Sequence, residues 1–151
     1  ILRKNDVLIT KDSEEWSDIG IPSYITKNFD NVICGYHLAL IRPNSYKLHG
    51  RYLFRSFQSM PINTQFMVSA NGITRYGLSL NAISSAYVIL PPILEQRAIA
   101  DFLDRETTKI DTLISKIEKQ IDLLHEYKQS LITAVVTGQI DVREETRAEN
   151  P

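Results

Sequence analysis

The sequence predicts an α+β protein in which a small mixed α/β lobe is followed by one long α-helix. Three observations support this fold class. Short β-prone runs alternate with turn residues over 1–90, the proline pair Pro91–Pro92 follows, and a heptad repeat of apolar residues comes after it. The chain has 151 residues, 43% hydrophobic and 23% charged, a composition typical of a globular protein rather than a disordered one.

The lobe contains five short runs that favour β-strands. Each is rich in branched or aromatic residues and is bounded by polar or turn-forming ones. The predicted strands are Val7–Thr10, Val32–Cys34, Leu38–Ile41, Phe66–Val68 and Tyr87–Leu90.

Helices and one loop are predicted between these strands. Asn44 or Ser45 is expected to cap a helix that runs through Ser59. The segment Asn71–Gly77 contains two glycines, which indicates a tight or protruding loop. Ser79 then caps a short helical turn.

The long helix is predicted from about Leu94 to Val135. Pro92 disfavours helix in the residue before it, and Gly138 is expected to end the helix. These two boundaries divide the chain into three segments: a lobe over 1–90, a helix over 91–138 and a polar, fraying tail over 139–151.

One face of this helix carries an apolar seam with a seven-residue period. Such a period keeps one stripe against a partner helix over the whole length of a coiled coil, although Gln120 and Lys128 interrupt it. At 1.5 Å per residue the helix is on the order of 60 Å long, too long to be covered by a small domain, so it needs a partner helix. The seam residues are Leu103, Ile110, Leu113, Ile117, Ile121, Leu124 and Leu131.

Charge is distributed unevenly along the chain. Residues 1–90 contain nine Lys and Arg against six Asp and Glu, whereas residues 91–151 contain eight against twelve. A locally basic lobe with aromatic residues is compatible with a polyanionic partner, and an ordinary solvated surface is an equal alternative.

Several chemistries have no sequence signature here. No apolar run approaches the roughly 18 residues of a membrane-spanning helix, and neither a phosphate-binding loop nor an amino-methyltransferase motif with Pro-Pro before an aromatic residue is present. We therefore expect no catalytic residue, no metal and no cofactor. The single cysteine, Cys34, excludes an internal disulfide and fits a reducing cytoplasm. A structural role for Cys34 is favoured over a thiol nucleophile paired with His37.

Four segments between Pro91 and Asp141 carry a family resemblance. Pro91–Asp104, Thr108–Ile114, Leu124–Thr133 and Val136–Asp141 together closely resemble the conserved region of specificity subunits in type I restriction-modification systems. Upstream, Asp6–Thr10 and Gly77–Ser79 resemble the framework of a target-recognition domain in that family. Asn5 stands where the family often has glycine, and the loop after Thr10 lacks the family's usual glycine.

The resemblance implies a non-catalytic subunit that directs other subunits to double-stranded DNA. In the family, two target-recognition domains are held apart by two helices in an antiparallel coiled coil, which acts as a ruler between the halves of a bipartite site. The helices also dock the methylation subunits and, through them, the restriction subunits. This chain resembles one half, so the partner helix would come from a second copy or from an absent half, and we expect a homodimer.

The resemblance and the side-chain chemistry together predict DNA contacts in the lobe. Arginine pairs bidentately with guanine and asparagine with adenine, which makes the loop at 71–77 the first candidate and the loop after Thr10 the second. The alternative is that Arg75 is a surface arginine and Tyr76 a core aromatic. Trp16 is expected to be packed, and Lys27, Lys47, Arg51 and Arg55 are weaker candidates for phosphate contacts. The predicted DNA-binding residues are Lys11, Ser13, Asn71, Thr74, Arg75 and Tyr76.

Two other functions remain open at this point. The first is a coiled-coil tether that binds only protein, because the surface is not strongly basic. The second is the recognition lobe of a larger DNA methyltransferase whose catalytic domain precedes Ile1, although the long spacer helix argues against it.

Overall fold

The structure, a computed structural model, describes residues 1–143 and divides into two compact units, one from Ile1 to Asp104 and one from Arg105 onward. The first unit holds two small β-sheets, three short α-helices and one 3₁₀ turn, together with the first turns of the long helix. The predicted α+β class is confirmed. The residues 144–151 of the predicted fraying tail lie outside the described part of the chain.

The main sheet has three antiparallel strands. Strand β1 (Val7–Thr10) lies in the centre, between β3 (Pro22–Tyr24) and β4 (Leu38–Ile41). Val7 is opposite Tyr24 on one side and Ile41 on the other. A second sheet pairs β2 (Asp12–Ser13) with β5 (Tyr76–Gly77), with Asp12 opposite Gly77. The strands predicted at Val7–Thr10 and Leu38–Ile41 are therefore confirmed.

Alternation along β1 separates two apolar clusters, because successive side chains of a strand point to opposite faces. Val7 and Ile9 are fully buried in the main core, together with residues of helices α1 (Gly50–Gln58) and α2 (Met60–Ser69). Leu8 lies on the other face, in a smaller cluster with Leu2 and Ile25. The main core consists of Val7, Ile9, Ile19, Ala39, Leu53, Phe57, Phe66 and Leu78.

The strand predicted at Phe66–Val68 is wrong, because this segment lies inside α2. Pro61 occupies the first turn of that helix, where its missing N–H costs no hydrogen bond. Ile62, Phe66 and Ala70 follow at helical spacing and all pack on the main core, with the Phe66 ring 5.1 Å from that of Phe57, edge to face. A short apolar run does not distinguish a strand from a buried helical turn.

The strands predicted at Val32–Cys34 and Tyr87–Leu90 are also wrong, since neither segment has regular secondary structure. The backbone of Tyr87 is paired with a side chain instead of a strand. Its N–H donates to Gln65 Oε1 (2.9 Å), and its carbonyl accepts from Gln65 Nε2 (3.0 Å).

Helix α1 begins later than predicted. Asn44 forms a turn, with its side chain accepting from the Tyr46 N–H and its carbonyl accepting from the N–H groups of Lys47 and Leu48. The helix starts at Gly50, where a Cβ would lie 2.2 Å from the Asn5 carbonyl oxygen. The other predicted helical turn is confirmed as α3 (Leu80–Ser84), because Ser79 Oγ accepts from the Ala82 N–H at 3.1 Å.

The long helix, α4, runs from Ile93 to Val136, which confirms the predicted span. It ends at the predicted stop. Gly138 has a φ of +76°, and the next two N–H groups donate to the Ala134 carbonyl, at 2.8 and 3.1 Å. None of the helices described over 1–143 is both long and apolar enough to cross a membrane.

Candidate nucleic-acid interface

The loop at residues 71–77 is closed at its base and exposed at its tip. Asn71 and Gly77 exchange both backbone hydrogen bonds, at 3.0 and 2.9 Å. Gly72 has a φ of +147°, and a Cβ there would lie 1.8 Å from the Arg75 carbonyl oxygen, so this turn requires glycine. Ile73 is 95% exposed and Thr74 is also exposed. The predicted protruding loop is confirmed.

A three-residue network joins this loop to two other segments. Arg75 donates from Nε and Nη2 to the same oxygen of Asp12, at 3.2 and 3.0 Å. His37 Nδ1 lies 2.5 Å from that oxygen and 3.1 Å from Arg75 Nη2. A hydrogen on Nδ1 would let His37 donate to this carboxylate oxygen. The carboxylate therefore holds both cation-forming side chains at one point of the surface.

The electrostatics of Asp12 favour this pairing. Partial burial on its own would raise the pKa of the Asp12 carboxyl, but hydrogen bonds from His37 and Arg75 outweigh it and hold that pKa below its ordinary value. Asp12 therefore remains a carboxylate at neutral pH. The Arg75 side chain stays about half exposed, at 47%, while that of Asp12 is only 15% exposed.

Lys11 lies beside this network and contacts an aromatic ring. Its Nζ is 4.9 Å from the centre of the Tyr36 ring, and that ring meets His37 edge to face at 5.2 Å. Tyr36 is 81% exposed. The structure thus brings Lys11, Arg75 and two residues not predicted as site residues, Tyr36 and His37, to one surface.

Three of the other predicted DNA-binding residues already have contacts within the lobe. Asn71 donates from its side chain to the Ser69 carbonyl at 3.0 Å. Tyr76 is half-buried and packs against the main core. This agrees with the alternative interpretation of Tyr76 as a core aromatic. Ser13 Oγ accepts from the Glu15 N–H at 3.2 Å and is 3.4 Å from an oxygen of Asp18, to which it donates. Ser13 therefore lies in an acidic part of the surface.

The prediction for Trp16 is wrong, since its side chain is 53% exposed. Trp16 begins a single 3₁₀ turn (Trp16–Asp18) that contributes no residue to the core. Its neighbours Glu14 and Glu15 border the same surface depression as Asp12 and Arg75.

Cys34 does not pair with His37. Its thiol donates to the Leu38 carbonyl at 3.3 Å, while His37 is bound to Asp12. Partial burial raises the pKa of the Cys34 thiol, which keeps it protonated and unreactive. Over residues 1–143 no cluster of three or more His, Cys, Asp or Glu side chains is arranged to hold a metal ion.

The base of α4 is bound to the lobe through one buried amide. Gln96 is fully buried, and its Oε1 accepts from the His49 N–H at 2.8 Å. Its Nε2 donates to the carbonyls of Lys47 (2.9 Å) and Pro91 (2.8 Å). All three neighbouring backbone groups are satisfied by this single side chain.

Ion pairs continue the same contact over the next two turns of the helix. Arg51 is paired with Asp101 and, at 2.8 Å, with Asp104, while Arg55 contacts Asp104 at 2.7 Å. Arg51 and Arg55, weaker candidates for phosphate contacts, are therefore engaged by carboxylates of α4.

His49 lies at this contact without a hydrogen bond to Nδ1 from any described residue. Burial lowers the pKa of His49, and the charges of Arg51 and Arg97 lower it further, against the opposing effect of Asp101. The imidazole is therefore neutral at physiological pH.

Most of the predicted seam on α4 is exposed. Leu103 is half-buried, but the other six seam residues present between 41% and 66% of their surface. Six exposed apolar side chains in one stripe form a surface that is typical of an interaction face. They are Ile110, Leu113, Ile117, Ile121, Leu124 and Leu131.

Comparison with known proteins agrees with the resemblance. A family model described as "Type I restriction modification DNA specificity domain" matches residues 1–123. The putative type I restriction enzyme MjaX specificity subunit of Methanocaldococcus jannaschii is 27% identical over 104 residues, which cover 68% of this chain and 24% of that protein. The type I restriction enzyme EcoBI specificity subunit of Escherichia coli is 28% identical over 72 residues, 48% of this chain and 15% of that protein.

A solved structure has the same fold. The crystal structure of the S subunit of a type I restriction-modification system from M. genitalium superposes with a TM-score of 0.58 at 22% identity, covering 88% of this chain and 34% of that one. The chain thus spans about a quarter of the first curated relative and about a third of this structure.

Proposed function

The chain belongs to the type I restriction-modification DNA specificity domain family, and from that premise we propose that its lobe reads one half of a bipartite site in double-stranded DNA. One small module of this kind contacts about 3–5 base pairs by direct readout. The chain itself is non-catalytic and directs methylation subunits and, through them, restriction subunits to the site. These subunits and the DNA are its partners in the cytoplasm.

The observation that carries this proposal is Arg75, a half-exposed guanidinium fixed at a loop by Asp12. Base readout needs a donor pair that is presented at a defined angle, since bidentate pairing with guanine uses two parallel N–H groups. Lys11 on the same surface supplies positive charge for the DNA backbone. Thr74 and Asn71 complete the proposed loop contact, with Ser13 and Tyr76 at its margin.

The exposed seam supports a spacer role for α4. An apolar stripe of this length is stabilised when a second helix covers it, and a heptad repeat fits an antiparallel coiled coil. The partner helix comes from a second copy of the chain or from another half of a larger subunit. A slip by one heptad would shift a half-site by about 10 Å, so the register of the pairing determines the spacing.

Enrichment of binders from a randomised duplex pool tests the proposal. The wild-type chain should select a half-site, and Arg75→Ala should weaken binding to that site by roughly 5- to 150-fold, the range for one bidentate pair, with little change on random DNA. Arg3→Ala removes an equal charge from an exposed residue elsewhere in the lobe and is the matched control. Equal losses on both DNAs would reduce Arg75 to a phosphate contact.

One observation favours a second candidate, a protein tether. Glu14, Glu15 and Asp18 lie close to Arg75, and negative charge there opposes binding to DNA. A titration of DNA affinity against salt distinguishes the two functions, because each neutralised phosphate adds about 0.9 to the salt slope. A tether would show no steep salt dependence at any site.

A further inference from the structure

We propose that Asp12 is a positioning residue that directs Arg75 toward guanine in the recognised half-site. The inference rests on the proposed function and goes beyond it by naming the base and the residue that selects it. The role of Asp12 follows from the edge of the Arg75 guanidinium that its carboxylate occupies.

A guanidinium presents two usable pairs of donors. The side-on pair consists of Nε and one N–H of Nη2, and the end-on pair consists of Nη1 and the other N–H of Nη2. In Arg75 both side-on donors go to a single oxygen of Asp12, at 3.2 and 3.0 Å. His37 Nδ1 is also 3.1 Å from Nη2, but it lies on the same side of Nη2 as the Asp12 oxygen, because those two atoms are only 2.5 Å apart. The end-on edge of the guanidinium therefore remains for a ligand.

The position of Asp12 is itself fixed. Asp12 belongs to β2, opposite Gly77, and its carboxylate oxygen is also contacted by His37 Nδ1 at 2.5 Å. A carboxylate held by a strand and contacted by a second side chain restricts rotation of the arginine, whose free side chain has many rotamers. Arg75 is therefore oriented before it meets DNA, and less entropy is lost on binding.

Guanine fits the edge that remains. Its N7 and O6 are two adjacent acceptors in the major groove, spaced for a pair of parallel N–H donors, whereas adenine and thymine place an amino group or a methyl group there. A phosphate is the other group that this edge can bind. It carries no sequence information, so the two ligands give different results when bases are replaced.

Base analogues test the inference in the full chain. In the selected half-site, each guanine is replaced in turn by 7-deazaguanine, which lacks the N7 acceptor, or by hypoxanthine, which lacks only the minor-groove amino group. For the wild type, 7-deazaguanine at one position should lower affinity by about tenfold, within the range for a bidentate contact, and hypoxanthine should not. For Asp12→Ala the penalty at that position should fall below about threefold, and Asp12→Asn should be intermediate.

Glu14→Ala is the matched control. It removes the same charge from the same depression, but no described hydrogen bond joins Glu14 to Arg75. Both variants should bind random DNA slightly more tightly than the wild type, because a carboxylate near the phosphates is gone. Only Asp12→Ala should lose the 7-deazaguanine penalty. A double-mutant cycle that combines the Asp12→Ala substitution with the replacement of the base measures the coupling between Asp12 and that guanine directly. Thermal unfolding of each variant shows whether it is folded.

The outcomes separate the inference from the function on which it rests. If the wild type selects a half-site but Asp12→Ala keeps its full 7-deazaguanine penalty, or Glu14→Ala loses it equally, the role of Asp12 is refuted and the proposed function stands. A selected half-site without guanine in either strand also refutes the inference. If the wild type selects no sequence, the proposed function fails and the inference fails with it.

Discussion

Replacing Gln96 by alanine should loosen the base of α4 from the lobe. The change removes three hydrogen bonds and leaves the His49 N–H and the carbonyls of Lys47 and Pro91 without their partner. At about 1 kcal/mol net for each bond, the free energy of unfolding should fall by about 3 kcal/mol. For a unit of this size the loss corresponds to a fall in Tm of more than about 10 °C.

Two comparison variants sharpen the Gln96 prediction. Gln129→Ala changes an exposed glutamine of the same helix, off the seam, and should alter stability by less than about 0.5 kcal/mol. Gln96→Glu keeps the shape but places a carboxylate oxygen against two carbonyls, so it should be at least as damaging at pH 7 and recover in part near pH 4. Urea denaturation measures all three. If Gln96→Ala unfolds within 0.5 kcal/mol of the wild type, the buried amide does not hold the helix base.

Three further predictions concern the seam, the pH response and one backbone position. Ile117→Asp should raise the dissociation constant for self-association by at least about a hundredfold, because each copy loses about 2–3 kcal/mol from the burial of this side chain. Lys119→Asp, off the seam, should leave that constant unchanged. Analytical ultracentrifugation measures both, and a monomeric wild type would contradict self-pairing. The pKa of His49 is lowered in the folded state, so the unfolded chain binds the proton more readily. The stability of the fold should therefore fall as the pH drops below about 6.5. In thermal melts, His49→Gln should make the stability less dependent on pH. Asn5 has a φ of +75° and accepts from the Tyr24 hydroxyl at 2.7 Å, so Asn5→Ala should cost about 1–2 kcal/mol in urea unfolding and Asn5→Gly less.

The elements that sequence reasoning predicted correctly have local causes. The span of α4 follows from its heptad period and from Gly138, and α3 follows from the Ser79 cap, so neither needs knowledge of distant residues. The errors have tertiary causes. Tyr87 lacks a strand partner because Gln65, in α2, binds its backbone, and α1 starts at Gly50 because the chain passes the Asn5 carbonyl there.

Only those residues of the candidate site whose type and sequence neighbours suggest DNA contact could be predicted from the sequence. Arg75, between two loop glycines, and Lys11, after a strand, are recognisable from their local context. Asp12 and His37 are not, because they are 25 residues apart, and Asp12 and Arg75 are 63 apart. Only the pairing of β2 with β5 brings Asp12 and Arg75 together, and no spacing rule along the chain anticipates it.

The contact between the lobe and the base of α4 includes several directional interactions beside the buried Ala100, and these bear on the proposed spacer role. An apolar contact tolerates sliding, because the hydrophobic effect depends on buried area rather than on angle. Within the first unit, three hydrogen bonds to one buried amide and the carboxylates of Asp101 and Asp104 on two arginines of α1 each depend on angle as well as on distance. A ruler between two half-sites needs such a joint, because an error in angle at the base grows with distance along the helix. Gln96→Ala should therefore weaken discrimination between DNA spacers that differ by one base pair more than it weakens binding to an isolated half-site.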